Sequence, residues 1–285
     1  MEKNKAEQVI KILTEALPFI QKFSKKICIV KYGGAAMVEK DLKYSFARDI
    51  ALMKQVGINV IVVHGGGPQI DEQLSRVKIK RNFVDGIRIT DNKTIEVVSK
   101  TLSNIVNKEI VELINSNGAN AIGISNNENK YIQAKKYISD KADYGYVGEI
   151  TNIDTNYFCK LLDSNYIPVI APLGFDENNN IYNINADSAA SKIASELAAE
   201  KIIFLTDQQG VLNKKKELIS SLNFEEINKL IKNEVITGGM LPKIQACLDA
   251  INNNVKMAHI VDGRIQHSVL LEIFTNEGIG TLVKK

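Results

Sequence analysis

Cysteine and histidine are both scarce in this chain, at three each among 285 residues. Cys28, Cys159 and Cys247 are odd in number, far apart and in no CxxC pair. That excludes a disulfide framework or a cysteine-based zinc site and leaves three buried thiols as the expectation. His64, His259 and His267 form no HExxH motif, so a histidine metal centre is not indicated. Nowhere is there the run of about 18 apolar residues that a membrane-crossing helix needs. The opening stretch MEKNKAEQVIKILTEALPFIQKF shows no cleavable signal pattern, and a soluble intracellular protein is expected. The net charge is only +3, with no basic stripe interleaved with aromatics, so nothing points to nucleic acid or a membrane surface as a partner.

What the chain does have is glycine in particular places. Val60 to Asp71 reads VIVVHGGGPQID: four β-branched residues of a fully buried strand, three glycines, then a helix start at the proline. Glycines without Cβ let a ligand approach the backbone, and the N–H groups that open the helix favour an anion. A tight turn needs one or two glycines, so three in a row favour an anion cradle. The same grammar recurs in KICIVKYGG, in KIIFLTDQQGVL and in the glycine loop and helix GGMLPKIQACLDAI. Strands alternating with helices such as DLKYSFARDIALMKQVG indicate a mainly parallel sheet covered on both faces, a three-layer α/β/α sandwich.

At this length one core usually stops growing, so one large unit or two lobes sharing a sheet is expected. The divisions read here are an amphipathic helix over 1–23, a lobe over 24–200 and a second lobe over 201–285. In the first helix Ala6, Val9, Ile10, Leu13, Leu17 and Ile20 recur at helical spacing, with Pro18 near its end. It either caps its own domain or is exchanged between subunits. Further helices are expected near 92–117 and 188–200. The stretches NAIGISNNENKYIQAKKY and DYGYVGEITNID read as hairpins beside the active face, with Asn-rich turns.

Ligands in open α/β sheets bind beyond the carboxyl ends of the strands, so the glycine loops should converge there. Lys31, in IVKYGG, stands at a strand end where an aliphatic residue would otherwise continue, and Lys243 closes TGGMLPK. Most lysines are solvated surface charges, and either one alone would be dismissed. Glycine amides with two ammonium groups, however, are what a phosphate requires. The loops are neither Walker A, since GxxxxGK[ST] is absent, nor a dinucleotide fingerprint, since isoleucine replaces the third glycine of that motif. In IYNINADSAASK, Asn183, Asn185 and Asp187 precede a helix rich in small residues. They read either as helix caps or as a ligand contact from Asn183 and an electrostatic organiser in Asp187. Arg88, after the Gly turn in FVDGIRIT, reads equally as a bidentate carboxylate clamp or a solvated strand-edge residue.

KYGGAAM, VVHGGGPQI, DGIRIT, YIPVIAPLG, YNINADSAA, TGGMLPK and HIVDGR, in this order and across nearly the whole chain, resemble the N-acetyl-L-glutamate kinase branch of the amino acid kinase family. DGIRIT and YNINAD resemble that branch in particular. The resemblance implies phosphorylation of the γ-carboxylate of N-acetyl-L-glutamate by ATP with Mg2+, in arginine synthesis. By match, Lys31 and Lys243 would flank the transferring phosphoryl and Asp187 would organise them. Gly33, Gly34, Gly65 and Gly66 would donate to phosphate or acceptor, and Arg88 and Asn183 would hold acetylglutamate. The lobe from Lys201 would take the adenine and ribose.

The N-terminal helix and HIVDGRIQHSVLLEIFTNEGIGT resemble the hexameric, arginine-inhibited relatives, a trimer of dimers, which makes L-arginine an expected effector. Lys201, His259, Glu272 and Gly278 would line its pocket, with Glu272 facing the guanidinium. Phe19 stands where relatives often carry tyrosine, which predicts weaker inhibition. Some relatives pair with a PII-type signalling protein, whose docking surface is not legible here. The richness in Asn, Ile and Lys suggests an AT-rich genome and leaves cytoplasm or plastid stroma open. A sister kinase acting on another carboxylate or carbamate is the nearest rival. A non-catalytic amino-acid sensor is a second rival, disfavoured because it has no use for Lys31, Lys243 and Asp187 together.

Overall fold

The computed structural model describes residues 3–125, 131–275 and 278–285. Its central sheet contains strands β1 (Ile27–Tyr32), β2 (Asn59–His64), β5 (Ala121–Ile124), β8 (Ile167–Ile170), β11 (Lys201–Thr206), β12 (Ser221–Leu222), β13 (Met257–Asp262) and β14 (Thr281–Val283). Across the sheet the order is β12, β14, β13, β11, β1, β2, β8, β5. The six strands from β13 to β5 run parallel, while β14 pairs antiparallel with β13 and parallel with β12. The sheet is continuous across Glu200, because β1 pairs directly with β11.

Both faces of the sheet are buried, which explains why the central strands are apolar almost throughout rather than alternating. Successive residues still point to opposite layers. Ile29, Ile61, Val63, Ile202 and Phe204 pack in one core with Ala190, Ile193 and Ile244, which belong to helices α7 (Ala186–Glu196) and α9 (Met240–Asn252). Cys28, Val30, Val60, Val62, Ile203 and Leu205 pack in the other with Phe46, Ile50, Ile110 and Val269. Those come from α2 (Lys40–Gln55), α5 (Lys108–Ser116) and α10 (Ser268–Phe274). The three layers follow from this two-sided burial.

A four-stranded sheet stands beside the main one, in the order β10 (Ile181–Asn183), β9 (Leu173–Phe175), β6 (Ile132–Lys136), β7 (Gly148–Ile153). The hairpin expected over NAIGISNNENKYIQAKKY is not one unit. Residues 121–124 form β5, the edge strand of the main sheet, whereas β6 pairs antiparallel with β7. The Asn-rich turn falls at 126–130, outside the described residues. The alternating pattern of a short edge strand is the same in a hairpin and in a parallel sheet, which is why periodicity misassigned it. The small β3–β4 ribbon (Phe83–Val84 and Ile87–Arg88) follows helix α3 (Gly67–Arg76).

The helix expected near 92–117 is α4 (Asn92–Lys100), a π-helical segment at 101–107 and α5 in sequence. Helices α6 (Thr155–Asp163) and α8 (Phe224–Lys232) complete the α layers. Helix α1 (Lys3–Phe23) continues through Pro18. Its Ile10, Ile12, Leu13 and Leu17 are exposed, while Phe23 at its end is buried. Cys28 and Cys247 are buried, but Cys159 is exposed: its helix turns only Phe158 and Leu162 inward. No helix among the described residues is long and apolar enough to cross a membrane.

Candidate active site

Lys31 is placed by strand periodicity. It lies two residues beyond Ile29, so it faces the same layer as Ile29, over the first turn of α7. That turn carries Asp187, and its N-cap is Asn185, whose side-chain oxygen accepts the N–H of Asp187 at 2.9 Å and of Ser188 at 3.1 Å. The capping role therefore falls to Asn185, and Asp187 is left free to face the sheet. Lys31 Nζ lies 2.9 Å from Asp187 Oδ1, and Lys243, in the first turn of α9, places its Nζ 2.8 Å from Oδ2. Pro242 is tolerated beside it because the first helical turn has no intrahelical acceptor for its missing N–H.

The carboxylate thus bridges two ammonium groups in a buried setting. Burial pushes Asp187 up, yet Lys31 and then Lys243 outweigh it and hold the carboxyl at about 2. Burial also draws the Lys31 ammonium below its ordinary value, with Asp187 opposing and Lys243 reinforcing the shift. The three groups carry a net positive charge at the carboxyl edge of the sheet, with helix starts at Ala186 and Met240 beside them. Such a site attracts a polyanion.

Both glycine loops reach this edge. Gly34 adopts φ +70, which favours glycine, and a Cβ there would collide with the Asp207 carboxylate. Asp207 follows the end of β11 and accepts the N–H of Ala35. A Cβ at Gly33 would come within 2.5 Å of Lys31 Nζ. In the second loop Gly65 donates its N–H to Tyr32 O at 2.7 Å. The expectation that Gly65 supplies a hydrogen bond to phosphate or acceptor is corrected here, since its amide is already used to tie β2 to β1. The Gly66 N–H has no acceptor in the backbone among the described residues.

Arg88 is buried, not solvated. Its Nη2 donates to Asp71 Oδ1 on α3 at 2.6 Å, its guanidinium lies 4.5 Å from the Phe83 ring centre, and its Nη1 is buried without a partner. Asn183, at the end of β10, donates its N–H to Tyr146 O, and Tyr146 N–H donates to Thr90 O two residues beyond Arg88. The two residues read as acceptor clamps are thereby joined through the segment at 144–147.

Lys201, His259, Glu272 and Gly278 assemble elsewhere. Lys201 opens β11, whereas Asp207 follows its end, so the two sites lie at opposite edges of the sheet, about 20 Å apart at about 3.3 Å per residue. They line a cavity of about 580 Å3 with Phe19 and Lys22. Glu272 does not wait there with a free carboxylate. Its Oε2 accepts the N–H of Ile279 at 2.9 Å and of Gly280 at 3.1 Å, while Oε1 meets His259 Nδ1. The ε nitrogen of His259 is buried without a partner, and burial lowers the pKa of that imidazole.

The amino acid kinase family model matches residues 26–262, which include every element of the carboxyl-edge site. The chain belongs to the amino acid kinase family. Curated members at this similarity are acetylglutamate kinases, that is, phosphotransferases with a carboxyl acceptor. The one from Campylobacter hominis is 50% identical over 281 residues, covering 99% of each chain, and that from Acinetobacter baylyi is 51% identical over 282 residues, covering 96% of this chain and 93% of its own. Among solved structures, N-acetylglutamate synthase from Neisseria gonorrhoeae, complexed with coenzyme A and N-acetyl-glutamate, superposes with a TM-score of 0.88 at 23% identity. The match covers 97% of this chain, which spans 63% of that synthase's length. Carbamate kinase from Giardia lamblia bound to AMP-PNP gives 0.66 at 19% identity, covering 91% of this chain and 98% of its own. These two likenesses show the amino acid kinase fold.

Sequence reasoning missed Asp207, although an aspartate directly after a six-residue strand in LTDQQG is a readable signal. His64 lies inside the glycine motif, yet its partner Asn107 is 43 residues away, so no local pattern signals either residue.

Proposed function

We propose that this chain transfers the γ-phosphoryl group of ATP to the γ-carboxylate of N-acetyl-L-glutamate. The single observation that carries the reading is Asp187 bridging Lys31 and Lys243 beside two glycine loops. A carboxylate acceptor, with an ordinary pKa near 4, is already an ionised nucleophile at neutral pH, so no general base is required. The difficulty is repulsion between anions, and phosphoryl transfer is accelerated mainly by positioning and charge neutralisation. Lys31 and Lys243 supply the neutralisation from two sides, and Asp187 keeps their ammonium groups in place. Gly33 and Gly34 carry no Cβ, which lets the phosphates approach the backbone beside Lys31 and Asp207, and Gly66 offers its amide. Magnesium arrives on the nucleotide and neutralises phosphate charge when bound. The orphaned Nη1 of Arg88 suits an acceptor carboxylate, and Asn183 shares that task. In this reading residues 24–200 hold acetylglutamate and residues 201–285 hold the adenine and ribose. The test is ADP release with ATP, magnesium and N-acetyl-L-glutamate against glutamate and aspartate; turnover that ignores the acetyl group would move the reading to a sister kinase.

L-Arginine is the proposed effector at the opposite edge. Lys201 suits its α-carboxylate, and Glu272, already held by two backbone amides and His259, offers its remaining lone pairs to the guanidinium. The Neisseria synthase of the same fold has also been solved complexed with coenzyme A and L-arginine. The exposed apolar residues of α1 support its exchange between dimers in a hexamer. Phe19 lines the cavity without a hydroxyl, so Phe19→Tyr is expected to lower the arginine midpoint in a titration of turnover. An unmoved midpoint would discard that role for the helix.

A further inference from the structure

We infer that His64, held by Asn107, is a positioning residue that aims the Gly66 amide into the reaction cleft. The inference rests on the kinase reading for its consequence, though not for its geometry. His64 is the last residue of β2 and is fully buried. Its Nδ1 lies 2.6 Å from Gly65 O and its Nε2 lies 3.1 Å from Asn107 Nδ2. The same Nδ2 donates to Val169 O at 2.8 Å.

The carbonyl of Val169 can only accept, so the atom of Asn107 that faces it must be the amide NH2. Nε2 of His64 therefore accepts from that NH2, which assigns the ring proton to Nδ1, where it donates to Gly65 O. In a planar trans peptide the C=O of Gly65 and the N–H of Gly66 point in opposite directions. Pinning that carbonyl inward turns the Gly66 N–H outward. Since the Gly65 N–H is bound to Tyr32 O, both ends of Gly65 are fixed, and Gly66 is the first amide of the loop left for a ligand.

The neighbouring strand uses the same device. Tyr32 and His64 are register partners at the ends of β1 and β2, and Tyr32 Oη donates to Ala36 O, in the first glycine loop, at 2.5 Å. Each strand thus ends in a buried ring that holds a carbonyl of the loop after it.

Asn107 closes the π-helical segment at 101–107, a distortion that often marks functional sites. Leu102 of the same segment packs on the loop, since a Cβ at Gly66 would come within 2.6 Å of its Cδ2. Each residue along an α-helix rotates the side chain by about 100°, so the wide turn lets Leu102 and Asn107 address adjacent parts of one loop. Gly123 on β5 leaves room for the Asn107 amide.

Two substitutions separate positioning from core filling. In His64→Asn the amide nitrogen stands near the place of Nδ1 and keeps the donor to Gly65 O; in His64→Gln the amide oxygen stands near the place of Nε2 and keeps only the acceptor toward the Asn107 NH2. With ATP and N-acetyl-L-glutamate, kcat is expected to fall about tenfold or more in His64→Gln and to stay within about threefold in His64→Asn, with either substrate's KM changing less. Equal kcat in the two variants at similar urea midpoints overturns the inference. Nitrogen-15 spectra of the full-length protein without substrate decide the geometry even if acetylglutamate is not the acceptor. A protonated Nδ1, together with a Gly66 amide signal that moves in His64→Gln and not in His64→Asn, is expected. A protonated Nε2 with a bare Nδ1 overturns the inference.

Discussion

Replacing Asp187 by asparagine tests the centre of the site, because it removes one charge and almost no volume. At effective dielectric of about 20, each ammonium about 3 Å from the carboxylate gains about 6 kcal/mol of attraction, against a desolvation cost of several kcal/mol for each buried ion. Removing one member of such a cluster commonly costs about 3–5 kcal/mol, since the partners stay buried without compensation. Asparagine keeps one acceptor oxygen toward a lysine, so the lower end, about 3 kcal/mol, is expected.

The pH dependence follows from the same geometry. Held at about 2 against an ordinary 3.8, the carboxylate contributes about 2 kcal/mol at about 1.4 kcal/mol for each pH unit. Its folded pKa is depressed, so the contribution is complete above the unfolded value and is lost as pH falls from about 4 through about 2. Urea unfolding of parent and Asp187→Asn should therefore show a gap of about 3 kcal/mol at pH 7 that narrows by about 2 in that acid window. Turnover of the variant should fall by about 100-fold or more, because the two lysines lose the charge that fixes their ammonium groups and offsets their mutual repulsion. A gap below about 1 kcal/mol at pH 7, or one that does not narrow in acid, would refute the reasoning.

Gly34→Ala is expected to cost about 1–3 kcal/mol, since alanine must adopt φ +70 and its methyl displaces Asp207; thermal melting and the KM for ATP would both reveal it, and a variant matching the parent in both would remove the loop constraint. Arg88→Lys keeps the charge but loses the fork that spans Asp71 and the unpartnered Nη1 side, so the KM for N-acetyl-L-glutamate should rise about tenfold or more while that for ATP stays near the parent. Asp49, which burial pushes up to about 6 despite its contact with His267 at 2.6 Å, predicts the opposite acid behaviour to Asp187. Its raised folded pKa gives stability that is complete below about 4 and lost as pH rises through about 6, so Asp49→Asn should gain on the parent across that window by at most about 3 kcal/mol in urea unfolding. A constant difference would rule that carboxylate out as the titrating group.

The layers were legible in the sequence because a buried parallel strand has a composition of its own, and because glycine after such a strand has few other uses. Lys31 could be chosen by position, as the one charge continuing the apolar run of β1. Its two-residue spacing from Ile29 even fixes which face it takes. Arg88 could not be settled locally: its burial depends on Asp71 and Phe83, and spacing along FVDGIRIT says nothing about either. The NAIGIS stretch misled because an edge strand and a hairpin arm share one periodicity.

Local sequence determined the parallel sheet, the glycine loops and the two lysines, since each depends on the steric and burial preferences of neighbouring residues. It left capping open among Asn183, Asn185 and Asp187, while the resemblance already implied that Asp187 organises the lysines. Only the tertiary structure gave the cap to Asn185, spent the Gly65 amide on Tyr32, and set Asn107 against His64 from 43 residues away. Those outcomes depend on which donors and acceptors the packed layers bring within about 3 Å of one another, a quantity that no local pattern encodes.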